Sequence, residues 1–572
     1  MTTARQALLD AARQHPDVPV LIVGAGINGI GVFRELALNG VDALLVDRGD
    51  FCAGASAASS HMAHGGLRYL ENGEFRLVRE ALTERNRLLQ NAPHYVKPLP
   101  TTIPIFRWFS GLFNAPLKFF GLLDRPSERG ALIIKAGLTM YDIFTRGQQT
   151  LPRHRFATRA QSLQQRPLLN ADIVCTATYY DALMPYPERL CIELILDAEA
   201  RHPGARALNY VSAVGAAGGA VTLRDELTGD TFDVRPQVVV NAAGPWIDLV
   251  NRGLQRPTAF IGGTKGAHLL LDNPTLHAAT GGHELFFENK DGRITLFFAL
   301  GDKVLAGTTD IPVDNPDQVE VTDDEVAYIL ESIRIVFPDI PVDRSQVVFW
   351  FTGVRPLPRQ DAATAGQISR DHHIHVTPPG DGVSFPIYSL VGGKWTTFRA
   401  FAEQTADKLL PLLNRQRQAS TARLAFGGGV GYPDGAAARQ RWIEVVAGKA
   451  GLDTARVETL FERYGTRAAE VGAYTQAGPD APLAHVPGYT RREAQFLAEH
   501  ERVVHLDDLL LRRSLLAMLA HVDGAALDEL AGVLAAALGW TPEQAAAEAA
   551  RAHDLLTRSH GMRLARPAAV GG

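Results

Sequence analysis

The chain has 572 residues, 46% of them hydrophobic and 21% charged, with a formal net charge of -5 at neutral pH. That length exceeds a single core and implies two or three domains, and the composition excludes a disordered or fibrous chain. The slight acidity offers no footing for nucleic acid, and the three cysteines, Cys52, Cys175 and Cys191, form no C-x-x-C pair and fit a reduced, cytoplasmic setting. The first residues lack the apolar core of a secretory signal, and no apolar run is long enough to span a bilayer, so any membrane contact is expected to be peripheral.

In chain order, Val18 to Val23 is an almost unbroken apolar run, as expected of a parallel strand buried on both faces. Gly24, Gly26 and Gly29 follow as G-x-G-x-x-G, with Asn28 inside the turn. The first glycine permits a tight turn, the second lets the backbone approach a pyrophosphate, and the third lets the helix pack closely on the sheet. The helix N-terminus offers free N–H groups to the phosphates. Gly40 stands where that helix should end, Leu44 to Val46 reads as the next strand, and Asp47 can accept from a ribose while disfavouring a 2′-phosphate. This unit predicts a bound dinucleotide without separating FAD from NAD.

A serine- and glycine-rich loop, Ala53 to Gly66, leads to His64-Gly65-Gly66-Leu67-Arg68-Tyr69. A neutral histidine is a natural base for an alcohol proton, and the glycines let a ligand approach the backbone. The alternative is a structural loop whose Arg68 pairs with an acid such as Glu71. A helix is predicted from about 73 to 90, with Phe75, Val78, Leu82, Arg85 and Leu89 on one face. Next, Phe106 to Phe120 interleaves aromatics with cations; it reads either as a membrane-interface segment or as an amphipathic cap on the protein's own core.

Ala207 to Val240 reads as strands with turns at Gly218-Gly219 and Thr228-Gly229, ending in Asn241-Ala242-Ala243-Gly244-Pro245-Trp246, a strand end suited to ligand binding or to simple packing. Leu269 to Thr309 reads as an antiparallel sheet, and Thr322-x-x-Glu325 as a capping box. Gly307-Thr308-Thr309-Asp310, Gly353-Val354-Arg355-Pro356 and Gly392-Gly393-Lys394-Trp395-Thr396-Thr397 set Arg355 and Lys394 beside glycines, where each could meet a phosphate or lie solvated. His372, His373 and His375 have no third ligand or thiol nearby, so no metal is expected. Beyond about 420 the texture is helical, and Thr541-Pro542-x-Gln544 opens the last helix before a loose tail.

Taken in order, GAGINGIG, ASAASS, HGGLRYLE followed by FRLVREALTER, NAAGPW, GTTD, TGVRPL and GGKWTTFR resemble the FAD-dependent glycerol-3-phosphate dehydrogenase/oxidase family across roughly residues 18 to 400, and 420 to 555 resembles its C-terminal domain. The resemblance implies an α/β fold: a Rossmann-like FAD-binding domain of the glutathione-reductase and D-amino-acid-oxidase type, an antiparallel substrate domain and a C-terminal helical domain. It divides the chain into a discontinuous FAD part (1–75, 150–262, 345–410), a substrate part (76–149, 263–344), a helical domain (420–558) and a tail (559–572). It implies that Gly24, Gly26, Ile27, Asn28 and Gly29 meet the pyrophosphate, Asp47 and Arg48 the adenosine end, and Ser56, Ser59 and Ser60 the stretch toward the flavin. Val211, Gly244, Gly353, Lys394, Trp395 and Thr396 complete that set.

By the same resemblance, Arg68, Arg355 and Lys394 hold the phosphate of glycerol 3-phosphate or a related phosphorylated polyol, and His64 takes the C2 proton. The implied partners are a quinone, or oxygen in an oxidase, with a peripheral contact on the inner face of a membrane and a homo-oligomer as further expectations. A non-catalytic flavin-bound interaction protein is the alternative of another class, and intact His64, Arg68, Arg355 and Lys394 argue against it. The chain departs from the family pattern at His61, where a lysine is usual, and within residues 179–190.

Overall fold

The run predicted to be the first strand forms Asp17–Val23, central to a sheet in which five parallel strands lie in the order Ile387–Val391, Thr231–Asn241, Asp17–Val23, Ala43–Val46 and Ala205–Leu208. His373–Thr377 adds an antiparallel edge. The computed structural model describes residues 3–67, 73–109, 130–144, 150–289, 291–359 and 371–565. Hairpin strands Val211–Ala217 and Ala220–Asp225 pair onto Thr231–Asn241, turning at both predicted glycine turns. The helix after the glycine turn, Ile27–Leu38, is buried along most of its length, packed on Pro187–Arg201 and Phe398–Leu412. Gly31 permits this, since a Cβ there would lie 2.9 Å from the Phe398 ring.

The second sheet has ten strands and runs from Ile311–Pro312 through Thr264–Leu271, Lys303–Gly307, Ile294–Leu300, Glu284–Glu288, Lys97–Ile105 and Cys175–Leu183 to Met62–Ala63. Val347–Arg355 joins Thr264–Leu271 and Arg155–Thr158 joins Cys175–Leu183. Alternation sorts its side chains: Leu269 and Leu271 face a core with helix Asp323–Val336, whereas Leu270, Phe349 and Phe351 face the core of the C-terminal helices. That helical region includes Thr454–Tyr464, Arg491–His500, Gly524–Leu538 and Pro542–Arg558. Both predicted capping boxes form, at Thr322 with Glu325 and at Thr541 with Gln544.

Three expectations need correction. The substrate sheet is mixed rather than purely antiparallel, because Glu284–Glu288 runs parallel to Lys97–Ile105. Strands Val347–Arg355, Cys175–Leu183 and Met62–Ala63, placed by sequence in the FAD part, lie in this second sheet, their register being set by partners far along the chain. The tail is anchored at its start: the His560 ring stacks on Phe349 at 4.5 Å and Met562 is buried in the helical core. Among the described residues, no helix is long and apolar enough to cross a membrane.

Candidate active site

The glycine turn is a backbone cradle that side chains would fill. Gly24 has φ of +102° and a Cβ on it would sit 2.7 Å from the Ala242 carbonyl oxygen, while one on Gly29 would lie 2.0 Å from the Gly24 carbonyl oxygen. Gly26 caps helix Ile27–Leu38 without a side-chain hydrogen bond of its own, and Ser56 Oγ takes the first helical N–H, that of Ile27, so the positive end of the helix lies at the serine loop. The Asn28 side-chain oxygen is buried without a hydrogen-bond partner, an acceptor suited to a hydroxyl group of a dinucleotide rather than to its phosphates. Asp47 accepts from the backbone N–H groups of Ala25 (2.7 Å) and Gly49 (3.0 Å) and keeps acceptor capacity for a ribose. Burial pushes its carboxyl up to about 6 despite those two donors. This donor and acceptor set fits the two ends of a dinucleotide's pyrophosphate and ribose.

The serine loop carries the site from this cradle to the second sheet. Ser56 Oγ accepts from the Ile27 N–H at 2.9 Å, and the Ser56 carbonyl accepts from Trp395 Nε1 at 3.1 Å. Ser59 accepts from the His61 N–H, and Ser60 Oγ meets His268 Nε2 at 2.9 Å. Gly353 closes against the same loop, where a Cβ would fall 2.3 Å from the Ala58 Cβ. Gly393 packs beside the Asn28 side chain, and Gly244, with φ of +57°, opens the short turn Gly244–Trp246 after Thr231–Asn241. Val211 contributes through its main chain, donating to the Asp47 carbonyl at 2.7 Å, and Arg48 reaches outward to Asp317.

His64 is joined to the GGKWTT turn twice: its N–H donates to Thr396 Oγ1 at 3.1 Å, and that hydroxyl lies 3.2 Å from its carbonyl oxygen. Lys394, buried, caps the 3-10 turn Trp395–Thr397. Arg355 arrives on Val347–Arg355 and donates to Asp310 (3.0 Å), Thr308 Oγ1 (2.9 Å) and the carbonyls of Lys265 and Thr309. Gly266 makes room for it, since a Cβ there would lie 2.2 Å from the guanidinium. Arg68 and Glu71 lie outside the described residues, as does 110–129 of the aromatic-basic segment.

Sequence reasoning missed the groups beneath these. Gly65 donates its N–H to Asp181 Oδ1 (3.0 Å), which also takes Tyr141 OH (2.6 Å) and the buried Arg85 (3.0 Å). The signal was Arg85 itself, a cation on an otherwise apolar helix face. His268 stacks on Phe351 at 4.9 Å and, with burial and nearby Arg355 depressing its pKa well below the usual value, stays neutral. His61, at the family's lysine position, is also buried and pushed down to about 4, so it supplies no cation. Among the described residues there is no group of three His, Cys, Asp or Glu side chains able to hold a metal; His375 stacks on Phe260 and His372 on Phe401.

A family model for FAD-dependent oxidoreductases matches residues 19–399, and one for the C-terminal domain of alpha-glycerophosphate oxidase matches 419–545. A glycerol-3-phosphate dehydrogenase of Synechocystis sp. is 34% identical over 96% of this chain and 97% of that protein. The chain belongs to the FAD-dependent glycerol-3-phosphate dehydrogenase family. The cofactor implied by the glycine turn is therefore FAD. A mitochondrial glycerol-3-phosphate dehydrogenase of Arabidopsis thaliana is 30% identical, covering 97% of this chain and 88% of that one. In fold, the chain is similar to the glycerol-3-phosphate dehydrogenase of Bacillus halodurans solved with FAD, with a TM-score of 0.74 at 23% identity over 97% of each chain. The L-alpha-glycerophosphate oxidase of Mycoplasma pneumoniae gives 0.52 at 16% identity, covering 71% of this chain and 98% of that one. The α/β FAD-binding fold with its helical C-terminal domain is thus the fold of this family.

Proposed function

We propose that this protein oxidises sn-glycerol 3-phosphate to dihydroxyacetone phosphate and passes the electrons to a quinone. The observation that supports this reading is that two distant segments, those of Arg355 and Lys394, meet the one serine loop that carries His64 and also holds the glycine turn. When bound, FAD supplies the hydride acceptor. Arg355, Lys394 and Arg68 bind the phosphate dianion; the Arg355 guanidinium, held in place by Asp310 and Thr308, contributes a fixed positive charge and Lys394 a point charge, so the substrate is held in one orientation. His64 takes the C2 hydroxyl proton, its backbone fixed by Thr396 and by Asp181 acting on Gly65. Gly24, Gly26, Ile27, Asn28 and Gly29 hold the pyrophosphate and Asp47 the ribose, with Ser56, Ser59 and Ser60 leading toward the redox end.

The reading extends to a peripheral membrane contact near Trp108 and Phe109, which are both exposed. Anaerobic addition of glycerol 3-phosphate should bleach the visible absorbance of bound flavin, and a soluble quinone should restore it faster than air does. No bleaching sinks the substrate; faster recovery in air makes the protein an oxidase.

A further inference from the structure

The loop 313–321 is tied to the substrate sheet at both ends. Near its start Val313 donates to the Gly263 carbonyl at 3.0 Å, and near its end the Glu320 carbonyl accepts from Lys265 Nζ at 2.7 Å. Between these anchors Asn315 folds the chain back, its side chain accepting from the Asp317 N–H at 3.0 Å and its carbonyl from Gln318. The turn presents Asp317 to the other sheet. One Asp317 oxygen accepts from the Arg48 guanidinium at 2.5 Å and from Trp246 Nε1 at 2.8 Å, and Arg48 lies over the Trp246 ring at 4.7 Å.

The positions of these two donors are informative. Arg48 directly follows Asp47, and Trp246 closes the turn that begins at Gly244. The Trp246 ring also faces the serine loop, where a Cβ on Gly54 would lie 3.2 Å from it. A carboxylate from one sheet therefore joins two residues that flank the cofactor segments of the other. Arg48 is 53% exposed and Asp317 43%, so the contact sits in water, where ion pairs are weak and reversible; the shared indole N–H and the cation–π contact add to it.

We propose that Asp317, Trp246 and Arg48 form a clasp between the two sheets that slows the departure of FAD. The proposal rests on the assignment of Asp47 and the glycine turn to that cofactor. Asp317 is a positioning residue: it acts through Arg48 and Trp246 and takes no part in proton or hydride transfer. Opening the clasp frees the 313–321 loop to swing about its two anchors and lets the cofactor leave. Because the clasp is an exposed charge contact, salt should loosen it.

The test is the rate at which the holoenzyme releases FAD, followed by the rise in flavin fluorescence after dilution at low and at high salt. Asp317→Asn should release FAD about threefold faster at low salt, Trp246→Phe about twofold faster, and Asp317→Glu should restore slow release. Wild-type release should speed up with salt, whereas release from Asp317→Asn should barely respond; loss of a merely structural contact would leave the salt response intact. Release from Asp317→Asn at the wild-type rate and with the wild-type salt response overturns the clasp. If Asp317→Asn loses its helical circular dichroism, Trp246→Phe decides, and release at the wild-type rate overturns the proposal. A wild-type protein that retains no FAD at all would instead overturn the cofactor assignment on which the clasp depends.

Discussion

Asp47 and His64 make opposite demands on the protein around them. A buried carboxyl whose folded pKa is about 6, above the usual value near about 4, is penalised whenever it is ionised, so its contribution to apoprotein stability is lost as pH rises through that window. Ribose hydroxyls donating to Asp47 favour the carboxylate, and FAD binding should therefore tighten as pH rises toward about 6, by up to about tenfold per unit. Fluorescence titration of apoprotein between mildly acidic and neutral pH should show this, and Asp47→Asn should flatten the profile; a flat wild-type profile removes Asp47 from cofactor contact. The role proposed for His64 is in chemistry rather than binding. His64→Ala should slow anaerobic flavin reduction by about 100-fold or more while the protein keeps its FAD, and an unchanged rate would exclude His64 as the base.

The strand-turn-helix unit was legible because everything that specifies it is local. The apolar run, three glycines and Asp47 fall within one short stretch, and each glycine answers a contact seen in the fold. Gly29→Ala should abolish FAD retention, since its Cβ would fall on the Gly24 carbonyl and push the helix off the sheet; normal flavin content in the purified variant would show the turn to be more plastic than its geometry implies. The capping boxes were readable for the same reason. His268 and Asp181 were not, because a strand register between residues far apart along the chain decides which face they occupy. His268 meets Phe351 only through the pairing of Thr264–Leu271 with Val347–Arg355, and Asp181 reaches Gly65 only because Cys175–Leu183 lies beside Met62–Ala63. The fold class followed from ordered motifs, but strands assigned along the chain to the FAD part that lie in the second sheet blurred the boundaries between the FAD and substrate parts.

The C-terminal helices are sewn to the flavin half by buried charges rather than by apolar packing alone. Asp50, three positions beyond Asp47, accepts from Arg512 (2.5 Å), from the two terminal Arg513 nitrogens (2.5 and 2.9 Å) and from Asn209 (3.0 Å). Farther along, Arg189 makes a two-pronged pair with Glu501, and Arg467 bridges Glu501 and Glu193. Arg513→Met takes two charge-assisted bonds from Asp50 but leaves Arg512 and Asn209 on it, so it should cost about 1.5–3 kcal/mol and lower the unfolding midpoint in denaturant; a midpoint equal to wild type would show that Arg512 and Asn209 alone satisfy Asp50. The Asp50 and Glu501 carboxyls are held below the usual carboxylate range by these arginines, and His94 holds Glu193 at about 2. Their stabilisation is present above the unfolded pKa and lost as pH falls below about 4, so acid should separate the two halves first.

Strand Thr231–Asn241 lies between Asp17–Val23 and Ile387–Val391, and this order has a consequence for synthesis. The first strand leaves the ribosome long before either later one exists. At about 5–20 residues per second, the wait for Thr231–Asn241 is on the order of ten to forty seconds, and Ile387–Val391 follows later still. For that interval a nearly all-apolar ribbon has an open edge, which marks the nascent chain as a client for chaperones. Nascent chains stalled before Ile387 should bind no flavin, making cofactor capture one of the last events in the birth of the enzyme.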